Sequence, residues 1–228
     1  MENVNRTELL LGESGVLALK NAHVCVIGLG GVGGITAEAL VRSGVGSITL
    51  IDKDTVESSN KNRQIIALNS CIGTFKADAL KNRLLDINDS LNVTAHKIFY
   101  LPDTADQIDF SLFDYVIDAV DTITAKIEIV VRAKETGVKV ISCMGTGGKS
   151  NPLELKVADI YSTSVCPLAK VMRKELKNRG IESLKVVYST ETLEKENKFS
   201  KTNPCSTMFV PATAGLIMAN EVIKDLLK

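Results

Sequence analysis

"AHVCVIGLGGVGGITAEALVRSGVGSITLID", residues 22–52, decides the fold. It opens on a short apolar run ending at Gly28, continues with a helix-forming stretch closed by Gly44, and ends on the β-rich run SITLID at 47–52. That succession predicts a strand, a crossover helix and a second strand, a βαβ unit with parallel strands. Gly28, Gly30 and Gly33 stand at G-x-G-x-x-G spacing between the first strand and the helix. There, backbone amides and the helix N-terminus can receive phosphate. Asp52 follows Gly28 by 24 residues, at the end of the second strand, where a carboxylate can accept hydrogen bonds from ribose hydroxyls. A nucleotide site is expected, but this stretch does not choose the nucleotide.

The alternation continues outward. Leu80, Leu84, Ile87 and Leu91 put one apolar stripe on a helix over 75–91. Strands are expected in VTAHKIFYL (93–101), DYVIDAV (114–120) and KVISCM (139–144), with a helix in TAKIEIVVRAKETG (124–137) stopped by its glycine. An α/β fold follows: a Rossmann-like, mainly parallel sheet with helices on both faces. Beyond Ser150, ELKVADIY (154–161) and LKVVYST (184–190) read as strands, and PLAKVMRKELKNRG (167–180) as a helix opening on Pro167. A polar loop over 191–206 precedes a C-terminal helix that begins near Pro211. We read one domain over 1–228: a nucleotide-binding part at 1–150, and a C-terminal, substrate-side lobe at 151–228 extending the same sheet.

The 228 residues are 45% hydrophobic and 24% charged, as in a soluble domain with a proper core. Lys plus Arg equals Asp plus Glu at 27 each, so any polyanion must be met by a local patch. The N-terminus has no basic start followed by an apolar run, and the apolar stretch MFVPATAGLIMA at 208–219 is too short to span a bilayer. The five cysteines are scattered and never form C-x-x-C, so neither a disulfide framework nor structural zinc is encoded. These features predict a cytoplasmic protein with no membrane partner.

The next stretch, IDKDTVESSNKNRQ at 51–64, chooses the nucleotide. A dinucleotide's two phosphates are met by the glycine loop, and further cations near the ribose edge would find no partner. A triphosphate carries charge beyond the loop and needs Arg, Lys and a divalent ion. Arg63 and Lys76 are the right types, Asn60 and Gln64 can orient oxygen atoms, and Asp121, in DAVDT, suits magnesium.

These motifs, in this order, resemble the ubiquitin-activating-enzyme-like (ThiF/MoeB-like) adenylating superfamily over about Arg6 to Asp121. The second half, from KVISCMGTGGKS to FVPATAGLIMANEVIKDLL, resembles its tRNA-directed branch, the threonylcarbamoyladenosine dehydratases. The resemblance implies ATP and Mg2+ as cofactors. It implies nucleotide binding by Gly28, Gly30, Gly31, Gly33, Asp52, Asp54, Asn60, Arg63, Gln64 and Lys76, with Asp121 on the metal. Arg63, Lys76 and Asp121 would be catalytic, together with Arg6, which would reach the γ-phosphate of a partner subunit in a homodimer. Modified tRNA is the implied substrate, and a sulfur-transfer protein is a further expected partner.

Some signals are turned down. GTGGKS at 145–150 would need the first glycine of a Walker A loop at position 143, which is Cys143. Cys166 and Cys205 lack a histidine nearby in sequence, and His23 and His96 lie in strand-like runs. The basic residues of 168–179, Lys170, Arg173, Lys174, Lys177 and Arg179, fit either a solvated helix face or an RNA-backbone contact. The implied chemistry needs little from imidazole or thiol. Transfer of AMP turns a carboxylate into a mixed anhydride, and an atom of the same modified nucleoside can then close a ring with net loss of water. The runner-up is adenylation of the C-terminus of a ubiquitin-like sulfur carrier, although the paired C-x-x-C motifs common in such relatives are missing. A third reading, an NAD-dependent oxidoreductase, lacks an evident hydride-transfer acid.

Overall fold

The computed structural model describes residues 6–192 and 205–228, so positions 193–204 of the expected polar loop lie outside the described residues. Strand β1 (His23–Ile27) sends Val24 and Val26 into one core and Cys25 and Ile27 into another. A strand covered on both faces must be apolar throughout, which is why this run shows no polar alternation. On one side β1 pairs in parallel with β2 (Ser47–Ile51), which pairs with β3 (Asn92–His96). On the other side it pairs with β4 (Tyr115–Asp118), followed by β5 (Lys139–Cys143). Strand β7 (Lys185–Ser189) joins β5 in parallel, and β6 (Leu155–Asp159) closes the edge antiparallel to β7. The seven-stranded order is β3-β2-β1-β4-β5-β7-β6, the mainly parallel sheet that the alternating pattern predicts.

Helices α1 (Arg6–Asn21), α2 (Gly33–Arg42), α3 (Lys76–Ile87) and α6 (Phe209–Leu226) contribute to the core on one face. Helices α4 (Ile123–Thr136) and α5 (Pro167–Lys177) cover the other. After supplying the two outer strands, the chain recrosses so that α6 packs along α2. The approach is close: a Cβ on Gly215 would stand 2.6 Å from Val32 O, and Thr36 Oγ1 donates to Gly215 O at 3.2 Å.

Several elements differ from the sequence reading. β3 stops at His96 and does not continue to Leu101, because the chain turns there to bury Tyr100, whose ring stacks 5.8 Å from that of Phe110. α3 ends at Ile87, leaving Leu91 to bury itself from the following turn. α6 begins at Phe209, two residues before Pro211, which sits in the first turn where a missing N–H leaves no helical bond unmade. α1 has no counterpart in the sequence reading. It is kinked at Gly12 (φ 72), and Leu9 and Leu10 stay exposed, so it carries no single apolar stripe to betray it.

Candidate nucleotide site at the switch point

The chain leaves β1 toward β2 on one side, while β4 lies on the other, so the loops at the carboxyl ends of β1 and β4 diverge at a topological switch point. The loop after β1 is shaped by missing side chains. Gly28 has φ 88, and a Cβ there would stand 2.7 Å from Ala119 O; a Cβ on Gly33 would stand 1.8 Å from Gly28 O. The two loops therefore meet backbone to backbone. No side chain caps α2; Gly34 N donates to Gly30 O at 3.1 Å and Thr36 N to Val32 O at 3.0 Å, so an anion at this helix end would draw on the other amides of the first turn and loop.

Asp52 is oriented by amides on two sides: Leu29 N donates to Oδ2 at 2.7 Å and Asp54 N to Oδ1 at 2.8 Å. Carboxylate oxygens accept more than one hydrogen bond, so lone pairs remain for ribose hydroxyls. Asp54 gathers cations, with Lys53 Nζ at 2.6 Å and Lys76 Nζ at 3.1 Å. Burial alone would raise the Asp54 carboxyl, but the hydrogen bonds from Lys53 and Lys76 win and hold it below its ordinary value. Lys76 is buried at the first position of α3, a poor place for a cation because the helix dipole is positive there. Asp54 offsets that conflict with its ion pair.

Arg63 and Gln64 come to the glycine loop from the turn that follows. The Arg63 stem passes Gly31, with Cγ 3.6 Å from where a Cβ would stand. Its guanidinium is held by Ser59 O at 3.0 Å and Asn62 Oδ1 at 2.9 Å. Gln64 lies over Gly30, and its Oε1 is buried without a hydrogen-bond partner among the described residues. A buried amide oxygen without a donor is costly, and a donor on a bound molecule would relieve it. Asn60 is buried and partly spent on its own turn, where Oδ1 accepts from Glu57 N at 3.1 Å. Asp121 is exposed on the loop after β4.

Lys53, which the sequence reading passes over, links these groups. It bonds Asp54, and the charges of Asp52 and Asp121 add to raise its affinity for the proton. A second missed feature lies beneath: Lys126 of α4 and Asp118 of β4 form a fully buried pair. Its only sequence signal is a lysine on the inner side of an amphipathic helix. Arg6, exposed at the start of α1, is not brought to the group by any hydrogen bond or ion pair among the described residues. Cys166 is buried at the start of α5 and Cys205 is exposed.

Magnesium fits this donor set in one way. Among the described residues no three His, Cys, Asp or Glu side chains are grouped to cage a metal. Magnesium does not need such a cage, since it is commonly held by one or two carboxylates plus phosphate oxygens.

A glycine-rich loop at a switch point, flanked by an oriented carboxylate and more cations than a diphosphate needs, defines a nucleotide-using α/β protein of the adenylating kind. The chain belongs to the ThiF family, whose model matches residues 4–228. It is 42% identical over 244 residues to the tRNA threonylcarbamoyladenosine dehydratase of Bacillus subtilis (strain 168), covering 100% of this chain and 96% of that protein. Among solved structures it is similar to the Escherichia coli tRNA N6-threonylcarbamoyladenosine dehydratase, TcdA, in complex with AMP, at 34% identity and a TM-score of 0.89. The complex of the same protein with ATP gives 33% identity and a TM-score of 0.88, and covers 97% of this chain and 92% of that one.

Proposed function

We infer that this chain uses ATP to adenylate the threonyl carboxylate of N6-threonylcarbamoyladenosine in tRNA and then cyclises it. The kinship over the whole chain to proteins named for that reaction supports the reading. So do Lys53 and Lys76 drawn together on Asp54, two residues from the Asp52 that binds the glycine loop, and Arg63 lying against Gly31 of that loop.

A carboxylate oxygen attacks the α-phosphorus and pyrophosphate leaves. An atom of the same modification then attacks the activated carbon, and AMP departs with the original carboxylate oxygen, so the nucleoside loses water overall. The protein's part is positioning and charge stabilisation. Asp52 holds the ribose, the glycine-loop amides and α2 take phosphate, Arg63 and Lys76 stabilise the triphosphate, and Asn60 and Gln64 orient its oxygens. Asp121 would hold magnesium, which would supply charge neutralisation for the pyrophosphate.

The enzyme acts as a cytoplasmic homodimer in which Arg6 serves the partner's γ-phosphate. Exposed Leu9, Leu10 and Leu17 on α1 offer apolar surface for such a contact. No helix among the described residues is long and apolar enough to cross a membrane. A sulfur-transfer protein is the remaining partner, to be sought by cross-linking in native extract.

Incubation with ATP and tRNA carrying the modification should yield AMP and the cyclised nucleoside; an active preparation that yields neither refutes the proposal. Pyrophosphate exchange stimulated by a small protein ending in Gly-Gly, and not by tRNA, would favour the sulfur-carrier reaction.

A further inference from the structure

We propose that the outward face of α5 is the surface that grips the RNA backbone, an inference that rests on tRNA being the substrate. Of the five basic residues on and just beyond this helix, two are committed elsewhere. Arg173 Nη1 donates to Thr163 O at 3.0 Å, and Arg179 is bridged to Glu175 at 2.7 Å. Lys170, Lys174 and Lys177 are exposed, and none makes an ion pair or hydrogen bond among the described residues. At about 100° per residue they fall on one stripe about 10 Å long. Ala169, Met172 and Leu176, on the opposite side, are buried.

The stripe starts at the carboxyl end of the sheet, the end that carries the candidate site. Leu168 Cβ is the nearest neighbour of Gly145, just past the carboxyl end of β5, and Cys166 shares a core with Met144. From there α5 runs back along the sheet toward Ile181 and Leu184. A reactive base inserted at the mouth leaves its neighbouring phosphates outside, and they need cations within reach. Because the chain has no net charge, attraction to a polyanion must come from such a local excess. Three exposed ammonium groups in a row, leading away from the carboxyl end of the sheet, complement that backbone.

The test is binding of tRNA carrying N6-threonylcarbamoyladenosine, by anisotropy across a NaCl series, for wild type and for Lys170→Ala/Lys174→Ala/Lys177→Ala. The triple variant should bind about 10-fold or more weakly at moderate salt. Its log Kd against log salt should be shallower by about 0.7 to 0.9 for each phosphate that is no longer neutralised. ATP affinity and thermal midpoint should match wild type, and the triple Lys→Arg variant should keep tRNA affinity. A triple alanine variant with wild-type affinity and slope, in a protein that still cyclises its substrate, overturns the inference and leaves the proposed function standing. A wild type that neither binds nor cyclises tRNA removes both.

Discussion

Lys126 Nζ lies 2.9 Å from Asp118 Oδ2 beneath the switch point, and both side chains are wholly withdrawn from water. The three ammonium protons are matched by Asp118, Ser142 Oγ at 3.2 Å and Cys143 O at 2.7 Å. Asp118 Oδ1 accepts from Val120 N at 3.2 Å, in the loop that carries Asp121. The pair thus joins β4, β5 and α4 where the site is built. Lys126→Met leaves a buried carboxylate unpaired and should cost about 3–5 kcal/mol in urea denaturation. Asp118→Leu/Lys126→Met should recover much of that stability. Adenylation should stay low in the double variant, because the Val120 amide then has no acceptor; full recovery of both would reduce the pair to a packing feature.

Arg63→Ala and Asp121→Ala should each slow AMP formation by about 100-fold or more, the usual effect of removing one group that stabilises the transition state. Both side chains lie partly or fully in solvent, so thermal midpoints should stay near wild type. Near-normal turnover in both variants would disprove the assignment.

The glycine loop separates two kinds of constraint. A methyl on Gly33 would meet Gly28 O, which cannot yield without unmaking the loop, so Gly33→Ala should lower the thermal midpoint and abolish ATP binding. Gly30 has room, its nearest neighbour being Gln64 Nε2 at 3.9 Å. Gly30→Ala should therefore fold normally, while its methyl obstructs the approach of phosphate. Calorimetric titration with ATP beside a melting curve distinguishes the two.

Asp225, on α6, predicts a pH dependence. Burial by itself would raise its carboxyl, but Lys185, Lys228 and Tyr115 donate to it and hold it well below the usual carboxylate range. A depressed carboxylate contributes stability that is fully present above its unfolded value, about 3.9, and is lost as pH falls toward the folded value. Asp225→Asn should lower the urea midpoint at pH 7, and the gap from wild type should shrink below about pH 4. A gap unchanged between pH 7 and pH 3 would show that the charge contributes nothing.

Much of this protein is legible without coordinates. The βαβ unit at 22–52 and the parallel sheet are local signals, because strand and helix periodicities are properties of neighbouring residues along a chain. The kinked α1 escapes notice because exposed Leu9 and Leu10 break any stripe, and β3 reads too long because Tyr100 and Ile98 are apolar for packing and not for pairing. Tertiary structure alone decides which charges meet. Lys76 lies 22 residues from Asp54, Lys126 reaches Ser142 and Asp118 from a different element, and Gly31 stands between Arg63 and Pro211. Those meetings depend on strand order and on α6 folding back over α2, a long-range arrangement set by burying both faces of the sheet, which no local pattern encodes.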